Sequence, residues 1–154
     1  MAFDVKVAGE DEADVWDSVA ATCSHGTVFH SWQWLKTVEQ QTKTKLIPLL
    51  IYNGTTLVSI YPFFIKNYIG KITMAFSPPP KAYLLYLGPL IVDYEKLKQH
   101  KKESTFINIQ EAVDAYLIEH WNCKYIRIRT PPGLIDSRPF RWQGYCVEPM
   151  YTYR

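Results

Sequence analysis

Few side chains in this sequence have both the type and the spacing to do chemistry. Arg127 and Arg129 project with Tyr125 from one face of an alternating stretch, Lys124 to Thr130. Two guanidinium groups so placed can grip a phosphate or a carboxylate. They can also snorkel from a solvent-facing sheet or pair with Glu148. Trp32, Trp34, Tyr83 and Tyr86 offer rings that either line a groove or fill the core. Asp136, Arg138 and Arg141 share one turn, where a role at a reactive cleft competes with capping and loop support. His25, His30, His100 and His120 show no metal-ligand spacing, and His120 falls on the apolar side of its helix. There is no GxSxG elbow, no HExxH and no convincing Cys/His pair.

Composition bounds what these groups can serve. The 154 residues suffice for one domain with a substantial core. Five Trp, eleven Tyr and seven Phe favour a sheet-rich core and aromatic-lined grooves. A formal charge of +2 is too small for binding nucleic acid by phosphate neutralisation alone. Cys23, Cys123 and Cys146 are odd in number and widely spaced, so reduced, buried thiols in a cytoplasmic protein are expected, with Cys23 as packing. The start of the chain lacks the basic and apolar regions of a signal peptide, and no apolar run is long enough to span a bilayer.

The elements that must position these groups follow from periodicity. Phe3, Val5 and Val7 alternate as a short strand, Gly9 punctuates it, and a helix follows with Asp11 as cap and Val15, Trp16, Val19, Ala20 and Cys23 on one face. A second helix is expected from Ser31 to about Thr42, with Trp34, Leu35 and Val38 inward. Lys45 to Tyr52 and Thr56 to Lys66 form an antiparallel hairpin turned at Asn53-Gly54. Pro48 and Pro62 cannot donate, so each belongs where its strand lacks a partner, or at a bulge. Further strands are expected at Lys71 to Phe76 and Leu85 to Val92, then a helix starting between Ser104 and Asn108. The strand Lys124 to Thr130 comes next, then one helical turn within Asp136 to Trp142. The alternation from Tyr145 to Arg154 reads as a last, unfinished strand, so the chain is expected to be part of a longer protein. An exposed last strand would invite pairing into a dimer. The order suits an α/β (α+β) sandwich, a mixed sheet covered by helices.

That order resembles the GNAT acyltransferase architecture, with a mixed, largely antiparallel central sheet and helices on both faces. The segments Phe29-His-Ser-Trp-Gln-Trp-Leu35, Tyr61-Pro62-Phe63, Ser77-Pro78, Tyr86-Leu-Gly-Pro89 and Asp136-Ser-Arg-Pro-Phe-Arg-Trp-Gln-Gly-Tyr145 are similar to the first half of Fem-type (FemABX-like) proteins. The resemblance implies a single GNAT-like domain over residues 1–154, joined to a second such domain. It implies transfer of an aminoacyl or acyl group, from aminoacyl-tRNA or an acyl thioester, to an amine of a peptidoglycan precursor. Such transfer needs a neutral amine and oxyanion donors, not a dedicated nucleophile.

In the Fem family a lysine two residues beyond the tryptophan of the second helix contacts the acceptor's phosphates, and Lys36 is the matching residue. Together with the rings and guanidinium groups singled out above, the expected substrate-binding set is Lys36, Trp34, Tyr86, Arg127 and Arg129. The Q/R-x-x-G-x-G/A loop that cradles a CoA pyrophosphate has no match; the closest segment is Lys66-Asn-Tyr-Ile-Gly-Lys-Ile72. No cofactor is therefore expected in this domain. An acyl-CoA or aminoacyl-tRNA donor would come through the second domain, and the isolated chain would fold without catalysing. The alternatives are a non-catalytic binding or scaffolding module and a single-domain N-acetyltransferase.

Overall fold

The computed structural model describes residues 2–153. The elements are β1 (Asp4–Val7), α1 (Ala13–Thr22), α2 (Trp32–Thr42), β2 (Lys45–Asn53), β3 (Thr56–Tyr68), β4 (Ile72–Ser77), β5 (Leu90–Ile91), α3 (Gln99–Trp121), β6 (Cys123–Ile128) and α4 (Arg138–Trp142). They form one mixed sheet in the order β1-β2-β3-β4-β6, with β5 on the same edge of β3 as β4. All pairings are antiparallel except β4 with β6, which runs parallel because α3 carries the chain back.

Both faces of the sheet are covered, which explains why β2 and β3 read as almost continuous apolar runs. Alternate residues Ile47, Leu49 and Ile51 face Phe106, Ile109, Val113 and Leu117 of α3. Their neighbours Leu46 and Leu50 face Trp16 of α1 and Leu35 and Val38 of α2. Each such side chain, fully buried, contributes about 1.5–3 kcal/mol. The fold is thus the expected α/β sandwich with helices on both faces.

The prolines mark where ladders stop. Pro48 and Pro62 are paired with each other across β2 and β3, so their missing N–H groups point outward. Pro48 lies beyond the end of β1, where its carbonyl accepts the Ala8 N–H at 2.8 Å. Pro62 falls in the gap on β3 between Ile60, the last residue paired with β5, and Phe64, the first paired with β4. That gap splits the far edge of the sheet, as the missing donor requires.

Several expectations need correction. The hairpin loop is Gly54-Thr55, with Asn53 paired to Thr56, and the positive φ falls on Gly54 alone. The segment from Leu85 contributes only Leu90–Ile91 to the sheet. Helix α3 begins at Gln99 with Lys98 at its cap, earlier than Ser104. His120 on α3 is exposed and stacks on Tyr116, its ring centroid 4.3 Å away. Tyr145 to Tyr153 forms no strand. Tyr145 and Val147 do pack on the core beside α3, but no neighbouring backbone lies in register to make a ladder. The unpaired strand through which a dimer was expected is therefore absent from the described residues. The thiols are also not uniformly buried: Cys123 is, Cys23 is half-buried and Cys146 is exposed.

Candidate functional site

A groove of about 550 Å³ opens beside the end of β6. Its walls are the segment Leu85–Tyr86, the residues Ile128 to Pro132, the turn leading into α4, and the extended chain after Tyr145. The Arg129 backbone sets this geometry. Its N–H donates to the Ser77 carbonyl at 2.8 Å, carrying the parallel ladder one step past β6, and its carbonyl accepts the Leu87 N–H at 2.8 Å. Gly88 then turns with φ +71°, donates its N–H to Ser77 Oγ at 3.0 Å, and lies so close to Thr130 that a Cβ would sit 3.1 Å from the Thr130 Cα. Only glycine suits both the conformation and the approach.

The same wall is anchored from behind by His30, which is fully buried. Its Nε2–H donates to the carbonyls of Leu87 at 3.0 Å and Gly88 at 3.2 Å, so Nδ1 is the acceptor for the Thr27 hydroxyl at 2.9 Å. Burial lowers the His30 pKa to about 4, and the ring is neutral at pH 7. His30, singled out in the sequence only for its lack of metal-ligand spacing, has a positioning task.

Tyr86 and Arg129 both line the groove, and Arg129 is half-buried with no ion pair among the described residues. Trp34 joins them through Phe29, whose ring centroid lies 5.4 Å from Trp34 and 5.7 Å from Tyr86. Phe29 was not singled out in the sequence, although it opens the Phe29 to Leu35 motif. Trp32, by contrast, is core: it packs edge-on against Trp16 and donates Nε1–H to Glu10. Tyr83 is almost wholly exposed at a positive φ.

Arg127 and Lys36 stand apart from the groove. The Arg127 guanidinium stacks over Phe76 at 5.1 Å, on the sheet face it shares with Tyr125. Lys36 Nζ lies 3.2 Å from Glu39 and 3.5 Å from Glu10. The hydrogen bond that Lys36 donates to Glu39, with that carboxylate's charge, raises its pKa and holds it cationic. Its charge is already met by two carboxylates. In the turn before α4, Asp136 accepts from the Arg138 backbone N–H at 3.1 Å and from its Nε at 3.0 Å, and that partner lowers its pKa. Asp136 and Arg138 support the loop, while Arg141 faces the groove without an ion pair among the described residues.

One Cys/His pair does exist. The Ile91 N–H donates to His25 Nε2 at 3.1 Å, and an amide N–H can only donate, so the proton of the neutral ring sits on Nδ1, 3.3 Å from Cys23 Sγ. The Cys23 thiol in turn donates to the Ile91 carbonyl at 3.3 Å. Burial raises the Cys23 pKa and lowers that of His25, so the pair is a closed neutral knot tying β5 to the end of α1 and not an activated nucleophile. Cys23 is packing, as the sequence suggested.

No glycine-rich loop leads into α3, the helix that follows β4. The residues before it are Asp93-Tyr-Glu-Lys-Leu-Lys98, and Lys102 of its first turn is held by Glu95 and the Tyr94 ring. Lys66 to Ile72, the nearest sequence match to a pyrophosphate loop, forms the β3–β4 turn. These residues do not fit a CoA pyrophosphate in the way that loop does.

No protein-family model matches the sequence, and no curated protein matches it. Solved structures do. A ribosomal-protein-alanine N-acetyltransferase from Brucella melitensis superposes with a TM-score of 0.55 at 11% identity, over 100% of this chain and 98% of that one. A transcriptional regulator from Bacillus halodurans gives 0.54 at 12% identity, over 99% of both chains. A GNAT family acetyltransferase from Staphylococcus aureus gives 0.51 at 11%, over 100% and 98%. With helices on both faces of a mostly antiparallel six-stranded sheet, the chain has the fold of the GNAT acetyltransferases.

Proposed function

We propose that this chain is the acceptor-binding half of a Fem-type aminoacyl or acyl transferase, whose donor site belongs to a second GNAT-like domain. The observation that carries this reading is the groove lined by Tyr86 and by a half-buried Arg129 with no ion pair among the described residues, with the Phe29 ring packed against Tyr86 and Trp34 behind it. A guanidinium in such a site can hold a phosphate or carboxylate in a bidentate fork, and the rings supply contact area at small entropic cost. The lack of a glycine-rich cradle before α3 supports a donor bound elsewhere. In transfer, the acceptor amine attacks the donor carbonyl, the carbon–oxygen or carbon–sulfur bond breaks, and the amine proton leaves to solvent or the leaving group. The task of this chain is to fix the acceptor, and orientation alone can supply a large part of such an acceleration.

Calorimetric titration of the chain with acetyl-CoA, and separately with a soluble peptidoglycan-precursor peptide bearing its phosphates, tests the reading. Saturable binding of the precursor is expected, weakened about tenfold by Arg129→Gln, which is the loss of one charge-assisted contact. No binding of acetyl-CoA is expected. Binding of acetyl-CoA without the precursor would identify a single-domain N-acetyltransferase, and binding of neither would favour a scaffolding module.

A further inference from the structure

A second groove, of about 360 Å³, runs along the outer edge of the sheet between β1 and α3 and shares no lining residue with the Arg129 groove. β1 is an edge strand whose only ladder among the described residues is with β2. Ala8 donates its N–H to Pro48 opposite it, which fixes the alternation: Asp4, Lys6 and Ala8 turn their backbone groups toward β2. Val5 and Val7 therefore turn theirs outward. Neither has a hydrogen-bond partner on that side among the described residues. An open edge of this kind is a template for another strand.

The groove beside the edge has a definite charge. Glu111 and Glu119 of α3 line it and are exposed, Glu111 accepting one bond from Gln143 Nε2 at 3.2 Å, and the small residues Ala112 and Ala115 leave space between them. The other groups facing it are Asn108, Tyr116 and His120, and none carries a fixed positive charge. These two carboxylates give the groove a negative charge on a chain whose formal charge is +2. Glu111 and Glu119 are eight residues apart on one helix, which is about 12 Å at 1.5 Å per residue. On an added strand, side chains on one face four residues apart are separated by about 13.6 Å.

From these features we infer that the β1 edge is a docking site for an extended basic peptide segment, which adds to the sheet as a strand and places lysine or arginine at positions i and i+4 against Glu111 and Glu119. Backbone bonds to Val5 and Val7 give affinity, and the carboxylates select for charge. This surface is separate from the acceptor groove, so the inference does not rest on the role of Arg129.

Fluorescence polarisation with the labelled peptide TKVTVKT as probe tests it, with TEVTVET as its charge-reversed counterpart. The lysine peptide should bind saturably, at least about tenfold more tightly than the glutamate peptide, and more weakly as salt rises. Reversing both carboxylates (E111K with E119K) should invert the preference. Val5→Pro removes an outward-facing N–H and no ladder donor, which an edge strand tolerates, and puts an apolar ring where Val5 packs on the core; it should abolish binding while the β1–β2 ladder persists. As a check independent of folding, methylating the central amides of the probe should have the same effect on the unaltered protein. Equal affinity for the two peptides, full binding by a folded Val5→Pro variant, or no binding of the lysine peptide would overturn the inference.

Discussion

His30 makes the stability of the protein depend on pH, because its buried ring must stay neutral. Its ring is buried and neutral, with Nε2–H spent on the Leu87 and Gly88 carbonyls and Nδ1 on the Thr27 hydroxyl. Protonating Nδ1 would set an N–H against the Thr27 hydroxyl and place a charge in a dry site. The folded side chain accordingly titrates at about 4, against an ordinary value of 6.5. The unfolded chain therefore binds a proton more readily, and stability is fully present above pH 6.5 and falls as pH drops toward 4. Linkage puts the loss at about 2.5 kcal/mol by about pH 4.5, and about 3.4 kcal/mol once both states are charged. Urea denaturation at about pH 7.5 and about pH 4.5, for the protein and for His30→Gln, isolates this contribution. Glutamine can donate to the same carbonyls and does not titrate, so the variant should show a pH dependence shallower by about 2.5 kcal/mol. Equal pH dependence in the two proteins would refute the assignment of a buried, neutral His30.

Gly88→Ala should destabilise the protein by about 1–3 kcal/mol in the same denaturation assay, because φ +71° and the 3.1 Å approach to Thr130 both oppose a Cβ. It should also weaken binding at the groove, since Leu87 would no longer reach Arg129. Tyr145→Phe removes a hydroxyl that donates to Asp114 at 2.6 Å and accepts from Gln110 at 3.2 Å. A loss of about 1–2 kcal/mol is expected, with faster amide exchange confined to the segment after Gly144; an unchanged exchange pattern would show that this bond does not hold the segment in place.

What was legible in the sequence was local. The two core runs and the hairpin could be read because alternation and glycine punctuation act within a few residues, although the turn moved by one position to Gly54-Thr55. The start of α3 was misplaced because its first turns, Gln99 to Glu103, are polar and carry no apolar stripe. The alternation after Tyr145 was real as a burial pattern, with Tyr145 and Val147 inward and Cys146 and Glu148 outward. It did not make a strand, because a strand also needs a partner backbone in register.

By itself the sequence determined the layered architecture, since apolar periodicity dictates which faces must be buried, and it marked, at Pro48 within β2 and Pro62 within β3, where a neighbouring ladder must stop for want of a donor. The tertiary structure alone decided which candidate groups meet. Tyr86 and Arg129 share a groove because Ser77, Arg129, Leu87 and His30 are tied by hydrogen bonds between segments distant in sequence. Arg127, two residues away on the same strand face, stacks on Phe76 instead, and Lys36 is held by Glu10 and Glu39. Side-chain type and spacing propose chemistry along one element, but whether a charge stays free is set by the neighbours that folding brings to it.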